Sequence, residues 1–135
     1  MEGSVARTGF HGRKLELDAA HTYAARVLER FGTSPGNAAF TADALVRAEA
    51  DGLVTHGLTR LPSYSAMVAA GKIDGHAVPK MRRVAPAVLV VDAGNGFAYP
   101  ALALGLPALA DMARESGVAL MAVRRSSHFG VAGQP

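Results

Sequence analysis

Three side chains able to bind or activate a small acid recur at intervals of four residues: His56, Arg60 and Tyr64. On one helix, this spacing would place a proton-transfer group, a fixed cation and a phenol along a single stripe. An arginine there can hold a carboxylate through two parallel hydrogen bonds, and a helix N-terminus favours the same anion. Pro62 belongs in a first helical turn, so the helix can instead begin near Arg60, with His56 on the preceding loop. A solvated arginine, a half-buried tyrosine and an incidental histidine would give the same pattern.

A second group of candidate residues, 124–133, directly follows an apolar run that predicts a strand. Functional groups often lie just beyond the carboxyl end of such strands. The group contains His128, and histidine is well suited to exchange a proton with an alcohol near neutral pH. Glycines beside it would let the backbone approach a ligand closely. The competing interpretation is a surface turn that contains a histidine by chance.

The elements that must position these residues are helical in the first half of the chain. Apolar residues at helical spacing predict helices over residues 17–31, 35–51 and 55–70. Ser34 and Pro35 favour the start of the second helix as its N-cap and first residue. Residues 72–83, which contain Gly75 and Pro79, are interpreted as a connecting loop.

The second half has an α/β pattern. Residues 87–91 and 118–123 are short apolar runs typical of buried strands, and residues 101–116 between them predict a helix. Pro107 conflicts with a helix interior, so the regular helix either begins near it or is kinked there. A strand, a helix and a strand with short joins predict a right-handed βαβ unit. The fold class is therefore α/β, with an N-terminal helical segment followed by a βαβ unit.

This pattern divides the chain near Met81. Residues 1–13 are interpreted as a loose tail and residues 14–81 as a helical segment. That segment contains the motif of His56, Arg60 and Tyr64, hereafter the substrate motif. Residues 82–135 are interpreted as the start of an α/β domain. Gly94 to Tyr99 follows a strand but has tyrosine in the sixth position of a G-x-G-x-x-G pattern, so it does not support a Rossmann dinucleotide site.

Composition narrows the class of protein. Half of the residues are hydrophobic and 19% are charged, with a formal net charge of +3, which is globular composition without the long basic run of a nucleic-acid-binding protein. Cysteine is absent and the five histidines are dispersed, so no metal site is expected. The sequence has neither an apolar run long enough to cross a membrane nor a signal peptide, which favours a soluble cytoplasmic protein.

The two motifs together resemble those of the malate/L-lactate dehydrogenase family of the non-Rossmann type. That family also contains ureidoglycolate and sulfolactate dehydrogenases and cyclic-imine carboxylate reductases. Its members carry an S-H-G-x-x-R-L-P-x-Y motif, a G-x-I loop, a D-x-x-x-G turn and an S-N-H-F-G-x-A-G motif. The corresponding stretches here begin at Thr55, Gly71, Asp92 and Ser126, in the same order and at similar spacing.

The resemblance implies a nicotinamide-dependent oxidoreductase of 2-hydroxy or 2-keto acids that uses NAD or NADP and has the family's own α/β fold. It implies that His128 is the proton donor and acceptor. It also implies that His56, Arg60 and Tyr64 line the substrate pocket, with Arg60 on the carboxylate. The backbone around Ala132 would approach the nicotinamide, and the complete protein would be a dimer or larger. Because both histidines lie in pocket motifs, proton transfer by His56 remains an alternative.

Three departures from the family pattern stand out. Thr55 replaces the usual serine and keeps the hydroxyl, whereas Ser127 replaces the usual asparagine and can alter how His128 is oriented. Gln134 and Pro135 stand where the family has an aromatic pair. Because family members are well over twice this length, the chain is expected to be a truncated N-terminal fragment that is inactive alone.

Two other hypotheses remain. One is a non-catalytic remnant that needs a partner chain to complete its sheet. The other is a small basic anion-binding domain, which is supported only by the net charge of +3 and a pI near 9.7.

Overall fold

The structure, a computed structural model, describes residues 14–130 and consists of three helices followed by a small sheet that carries a fourth helix. The predicted loose tail, residues 1–13, lies outside this range. The elements are α1 (Leu17–Arg30), α2 (Pro35–Ala50), two 3₁₀ turns (Val54–His56 and Leu58–Arg60), α3 (Leu61–Ala69), β1 (Lys80–Ala85), β2 (Val88–Asp92), α4 (Ala98–Ser116) and β3 (Leu120–Arg124).

The first core lies among the three N-terminal helices. Leu28 of α1 and Leu45 of α2 are fully buried, and Tyr64 of α3 is nearly so. Phe97, which precedes α4, and Tyr99 at its start join the same cluster. Burial of side chains of this size contributes about 1.5–3 kcal/mol each, so this cluster holds the beginning of α4 against the helical segment.

The sheet has the order β1-β2-β3. Strands β2 and β3 are parallel, with Val88 opposite Leu120 and Asp92 opposite Arg124, and α4 connects them. This confirms the predicted strand–helix–strand unit. Alternate residues of β2, among them Leu89 and Val91, pack with α4 in a second core.

Strand β1 corrects the interpretation of residues 72–83 as a loop, because residues from Lys80 onward pair with β2 in antiparallel register. All six of its residues are exposed, and three of them are basic, so the strand has no apolar alternation by which it could be recognised. Pro79 lies just before it, a position that edge strands tolerate. The division proposed near Met81 falls inside this strand.

Two helix boundaries also differ from the sequence interpretation. Helix α3 begins at Leu61, so His56, Arg60 and Tyr64 do not share one continuous helix, and the alternative start near Arg60 is correct. Helix α4 begins at Ala98 and continues through Pro107. Pro107 is exposed, so its ring faces solvent rather than the sheet. The predicted end of α4 is confirmed at Gly117, whose φ of 78° is the left-handed cap that glycine favours.

The loop between α3 and β1 is fastened to α2 by a buried side chain. The Nδ2 of Asn37 donates to the carbonyl oxygens of Gly75 and Ala77, at 2.9 Å each. The backbone N–H of Ser34 donates to the same Gly75 oxygen at 3.0 Å. No helix in the described part of the chain is long and apolar enough to span a membrane.

Candidate active site

The first motif, residues 55–64, lies on the two 3₁₀ turns and the first turn of α3. Within it, the Thr55 hydroxyl lies 3.0 Å from Nδ1 of His56, so the hydroxyl that this position retains orients the imidazole. The Nε of Arg60 donates to the Thr55 carbonyl oxygen at 2.9 Å. That bond fixes the guanidinium and leaves its two terminal nitrogens available for a planar anion.

Helix α2 supports these turns through Glu49. Its carboxylate accepts the backbone N–H of Leu58 at 2.9 Å, at the start of the second 3₁₀ turn. Gly57 lies directly against Glu49, and a Cβ added to Gly57 would fall 3.1 Å from the Glu49 Cα. The motif therefore needs glycine at this position because the chain runs against the backbone of α2.

Tyr64 is the buried centre of the site. Its ring centroid lies 5.7 Å from that of Phe97 and 6.4 Å from that of His128, to which the ring is nearly perpendicular. Its hydroxyl is 3.3 Å from the hydroxyl of Tyr99. Burial raises the pKa of Tyr64 well above its usual range, while the nearby positive charge of Arg60 opposes that rise in pKa. Tyr64 therefore stays protonated near neutral pH and can donate a hydrogen bond.

The second motif continues from β3 and reaches the first at Gly130. Its backbone N–H donates to the Tyr99 hydroxyl at 3.0 Å. A Cβ added to Gly130 would come within 3.4 Å of the Cβ of His56. His128 is exposed, and its Nδ1 donates to the Phe129 carbonyl oxygen at 2.9 Å. Because a carbonyl only accepts, the neutral imidazole carries its proton on Nδ1, and Nε2 can accept one.

Asp92 anchors the base of the second motif. It accepts Nε of Arg124 at 2.9 Å on one oxygen and Nε of Arg125 at 2.8 Å on the other. The bond from Arg125, reinforced by the backbone N–H of Gly94, lowers the pKa of Asp92 to about 2. Arg125 has a φ of 49°, which is uncommon for a residue with a side chain. The bonds of Asp92 to Arg124 and Arg125, here called the Asp92 clamp, thus hold a strained turn in place immediately before Ser126.

Backbone bonds complete the alignment of the two loops. The N–H of Asn95 donates to the Arg125 carbonyl at 2.7 Å, and the N–H of Ser127 donates to the Gly96 carbonyl at 2.9 Å. Ser127 is thereby held by its main chain, and its hydroxyl bonds only weakly to the His128 carbonyl, at 3.4 Å. The predicted D-x-x-x-G turn, residues 92–96, therefore holds the beginning of the His128 loop by backbone hydrogen bonds.

The structure brings most of the predicted site residues together. His56 lies against Gly130, and His128 lies beside the ring of Tyr64. Arg60 lies close enough to Tyr64 to affect the pKa of that hydroxyl. Ala132, the predicted cofactor-binding residue, lies outside the described residues. The described range, 14–130, contains no group of three side chains that could hold a metal ion.

Sequence reasoning missed Tyr99 and Glu49. In the sequence, Tyr99 stands out only because it breaks a dinucleotide-binding pattern, although a tyrosine just after a turn, at the start of a helix, is placed to contact neighbouring loops. Glu49 occupies the last full turn of α2, six residues before the motif. An acidic residue near the C-terminus of a helix interacts unfavourably with the helix dipole. The position of Glu49 at the end of a predicted helix therefore indicates that its carboxylate has another partner.

Comparisons with known proteins identify relatives of this chain. The chain is 44% identical over 123 residues to (2R)-3-sulfolactate dehydrogenase (NADP(+)) of Chromohalobacter salexigens, which covers 91% of this chain and 37% of that protein. It is 45% identical over 104 residues to the Δ(1)-pyrroline-2-carboxylate/Δ(1)-piperideine-2-carboxylate reductase of Pseudomonas syringae pv. tomato, covering 77% of this chain and 30% of the reductase.

Solved structures show the same fold. The crystal structure of Δ1-piperideine-2-carboxylate reductase from Pseudomonas syringae pv. tomato superposes with a TM-score of 0.85 at 39% identity, over 88% of this chain and 36% of that one. Malate dehydrogenase from Entamoeba histolytica superposes with a TM-score of 0.80 at 30% identity, over 90% and 34% respectively. The chain thus spans about a third of the length of the relatives it matches.

The family model described as malate/L-lactate dehydrogenase matches residues 15–135, which include both motifs and the turn between them. The chain belongs to the malate/L-lactate dehydrogenase family.

Proposed function

We propose that the protein carrying this chain transfers a hydride between NAD or NADP and C2 of a small carboxylic acid, either a 2-hydroxy/2-keto acid or the corresponding cyclic imino acid. The observation that supports this most directly is the meeting of the two motifs, in which Gly130 lies against His56 and His128 stands edge-on to Tyr64. The relatives are named as a sulfolactate dehydrogenase and a pyrroline-2-carboxylate reductase. Both names describe a small carboxylic acid as the substrate, which supports the same class of substrate here.

Arg60 would bind the carboxylate. Its Nε is engaged by the Thr55 carbonyl, so the edge formed by the two terminal nitrogens remains for a bidentate contact. Tyr64, which is buried and protonated, would donate to an oxygen of the same acid. These two groups would fix C2 relative to the loop that carries His128.

His128 would exchange the proton on the substituent at C2. Its Nδ1 is engaged with the Phe129 carbonyl, so Nε2 is the nitrogen that can take up a proton from an alcohol or amine, or return it. His56 instead has Nδ1 beside the Thr55 hydroxyl and lies packed against Gly130, which suits a role in shaping the pocket.

The cofactor supplies or accepts the hydride when bound. The backbone around Ala132 is the proposed approach for the nicotinamide ring, as the family resemblance implies. Residues 14–81 would serve as the substrate-binding segment and residues 82–135 as the start of the cofactor-binding domain. The family resemblance supports a cytoplasmic homo-oligomer, with a dimer as the simplest form.

Kinetics of an active protein that carries these residues would test the roles. His128→Ala should lower kcat about 10²–10⁴-fold, the range for a positioned general acid/base. Arg60→Ala should mainly raise KM, because a carboxylate held equally in ground and transition states contributes uniform binding. Arg60→Lys should restore only part of the affinity, since lysine lacks the planar pair of donors.

The contrary result is equally specific. If His128→Ala keeps a near-normal kcat while His56→Ala abolishes turnover, proton transfer belongs to His56. If neither substitution affects turnover, both assigned histidine roles are wrong; if the unsubstituted protein reduces neither pyruvate nor a cyclic imino acid with NADPH or NADH, the proposed reaction is wrong.

A further inference from the structure

Tyr99 lies at the junction of three segments that are far apart in the sequence. It sits in the first turn of α4, with only 9% of its surface exposed, and belongs to the core of the N-terminal helices. Its hydroxyl contacts two other groups, the Tyr64 hydroxyl at 3.3 Å and the Gly130 backbone N–H at 3.0 Å. One oxygen atom therefore connects the substrate motif to the His128 loop.

The direction of one of these bonds follows from the groups involved. A backbone N–H can only donate, so the Tyr99 oxygen accepts from Gly130. Between Tyr99 and Tyr64 either hydroxyl can be the donor. A hydroxyl oxygen can accept two hydrogen bonds, so the Tyr99 oxygen can serve Gly130 and Tyr64 at once.

We infer that Tyr99 is a positioning residue that sets the distance between the His128 loop and the Tyr64 hydroxyl. The inference rests on the proposed function for its catalytic meaning. Its structural part, the connection of Gly130 to Tyr64 through one hydroxyl, stands on the geometry alone.

The connection matters because few other contacts in the described part of the chain hold the end of the His128 loop. Ser127 is bonded to Gly96, but the next described main-chain bond to another element is that of Gly130 to Tyr99. His128 itself is exposed, and within residues 14–130 it bonds only to its two neighbours in sequence, Ser127 and Phe129. Removal of the Tyr99 hydroxyl would therefore free the loop beyond Ser127 and let the His128 ring leave the edge of Tyr64.

Nuclear magnetic resonance of the 135-residue chain gives a test that does not need turnover. Tyr99→Phe keeps the buried ring and removes only the hydroxyl. Exchange of the Gly130 amide hydrogen should become about 2- to 10-fold faster, the equivalent of one lost hydrogen bond. The ring protons of His128 should also lose the shift that they owe to the nearby Tyr64 ring.

Two matched variants separate positioning from general loosening. Tyr64→Phe removes the other end of the connection but leaves the bond from Gly130 to Tyr99, so Gly130 exchange should stay unchanged. Tyr23→Phe, an exposed tyrosine on α1, should change neither signal. In an active protein that carries these residues, Tyr99→Phe should lower kcat with little change in KM, and adding Tyr64→Phe should cost less than additively.

Unchanged Gly130 exchange and unchanged His128 shifts in Tyr99→Phe would overturn the inference. If Tyr99→Phe does not fold, the unmutated chain still decides the matter. Gly130 should exchange more slowly than Phe129, whose amide donates to no group among residues 14–130. Equal rates would refute the inference. Failure of the NMR test with normal reductase kinetics rejects only the role of Tyr99, whereas the reverse result rejects only the proposed reaction.

Discussion

At the residue scale, the feature that organises the second motif is a single carboxylate. Asp92 forms ion pairs with Arg124 and Arg125 at once and also accepts the Gly94 N–H at 3.0 Å. A carboxylate with this many donors is stabilised in its charged form, which explains the lowered pKa. The consecutive arginines are therefore structural here, whereas their sequence alone would suggest an anion site.

The Asp92 clamp makes the stability of the chain depend on pH at the acid end. Its folded pKa of about 2 lies below the ordinary aspartate value of about 4, so the stabilisation is present above pH 4 and disappears as the pH falls to 2. Asp92→Asn should therefore unfold at lower urea concentration than the wild type at pH 7, and the difference should narrow between pH 4 and pH 2.

Circular dichroism during urea titration at several pH values would measure this difference. Asp43→Asn is the matched control, because Asp43 forms an exposed ion pair with Arg47 one turn away on α2, and such pairs contribute little. An Asp92→Asn difference that stays constant from pH 7 to pH 2 would contradict the assigned role.

At the scale of elements, the two 3₁₀ turns depend on close contact with α2. Gly57→Ala should disturb both 3₁₀ turns, since the new Cβ would overlap the Glu49 carboxylate and lie 3.1 Å from the Glu49 Cα. The carboxylate can move, but it would then release the Leu58 N–H. We expect a loss of about 1–3 kcal/mol in the free energy of unfolding, as for other overpacked contacts.

Gly36→Ala provides the comparison. A Cβ at Gly36 meets nothing within 4 Å, and the residue lies in the first turn of α2, where alanine is favoured over glycine. Thermal unfolding should show Gly36→Ala at or above the wild-type midpoint and Gly57→Ala several degrees below it. Equal midpoints for the two variants would argue against a packing role for Gly57.

The elements with strong periodicity were predictable from sequence, and those made by long-range contacts were not. Helices α1 and α2 and the unit from β2 to β3 have apolar faces that the residue pattern reveals. Strand β1 is stabilised by pairing with β2 and has no buried residue, so its own composition does not indicate a strand.

The same distinction applies to the site. His56, Arg60, Tyr64 and His128 could be proposed from residue type and motif, because their chemistry is visible in the sequence. Tyr99 could not, since its role comes from contacts with residues 35 positions earlier and 31 positions later.

At the scale of the whole molecule, the outer strands β1 and β3 form the edges of the sheet, and most of their residues are exposed. Helix α4 covers the face that carries Leu89 and Val91. On the strands β1 and β3, Val84 and Leu120 remain 43% and 61% exposed. Exposed apolar groups beside unpaired strand edges favour association between chains.

We therefore expect the purified 135-residue chain to self-associate at micromolar concentration. Leu120→Lys, which places a charge on the edge strand β3, should shift sedimentation toward the monomer. Leu17→Lys is the control, because Leu17 is similarly exposed, at 57%, but lies on α1. A wild-type chain that sediments as a monomer at every concentration would refute this expectation.

The fastening of the α3–β1 loop by Asn37 implies resistance to proteases at a place where the sequence invites cleavage. Lys72 is exposed, yet a protease needs an extended substrate, and the two bonds from Asn37 and the buried Ile73 hold the loop in a folded path. Trypsin should therefore cut after Lys72 slowly in the native chain. In Asn37→Ala the cut should become faster while cleavage after Arg114 on α4 stays constant, so that digestion patterns would report the state of this one attachment.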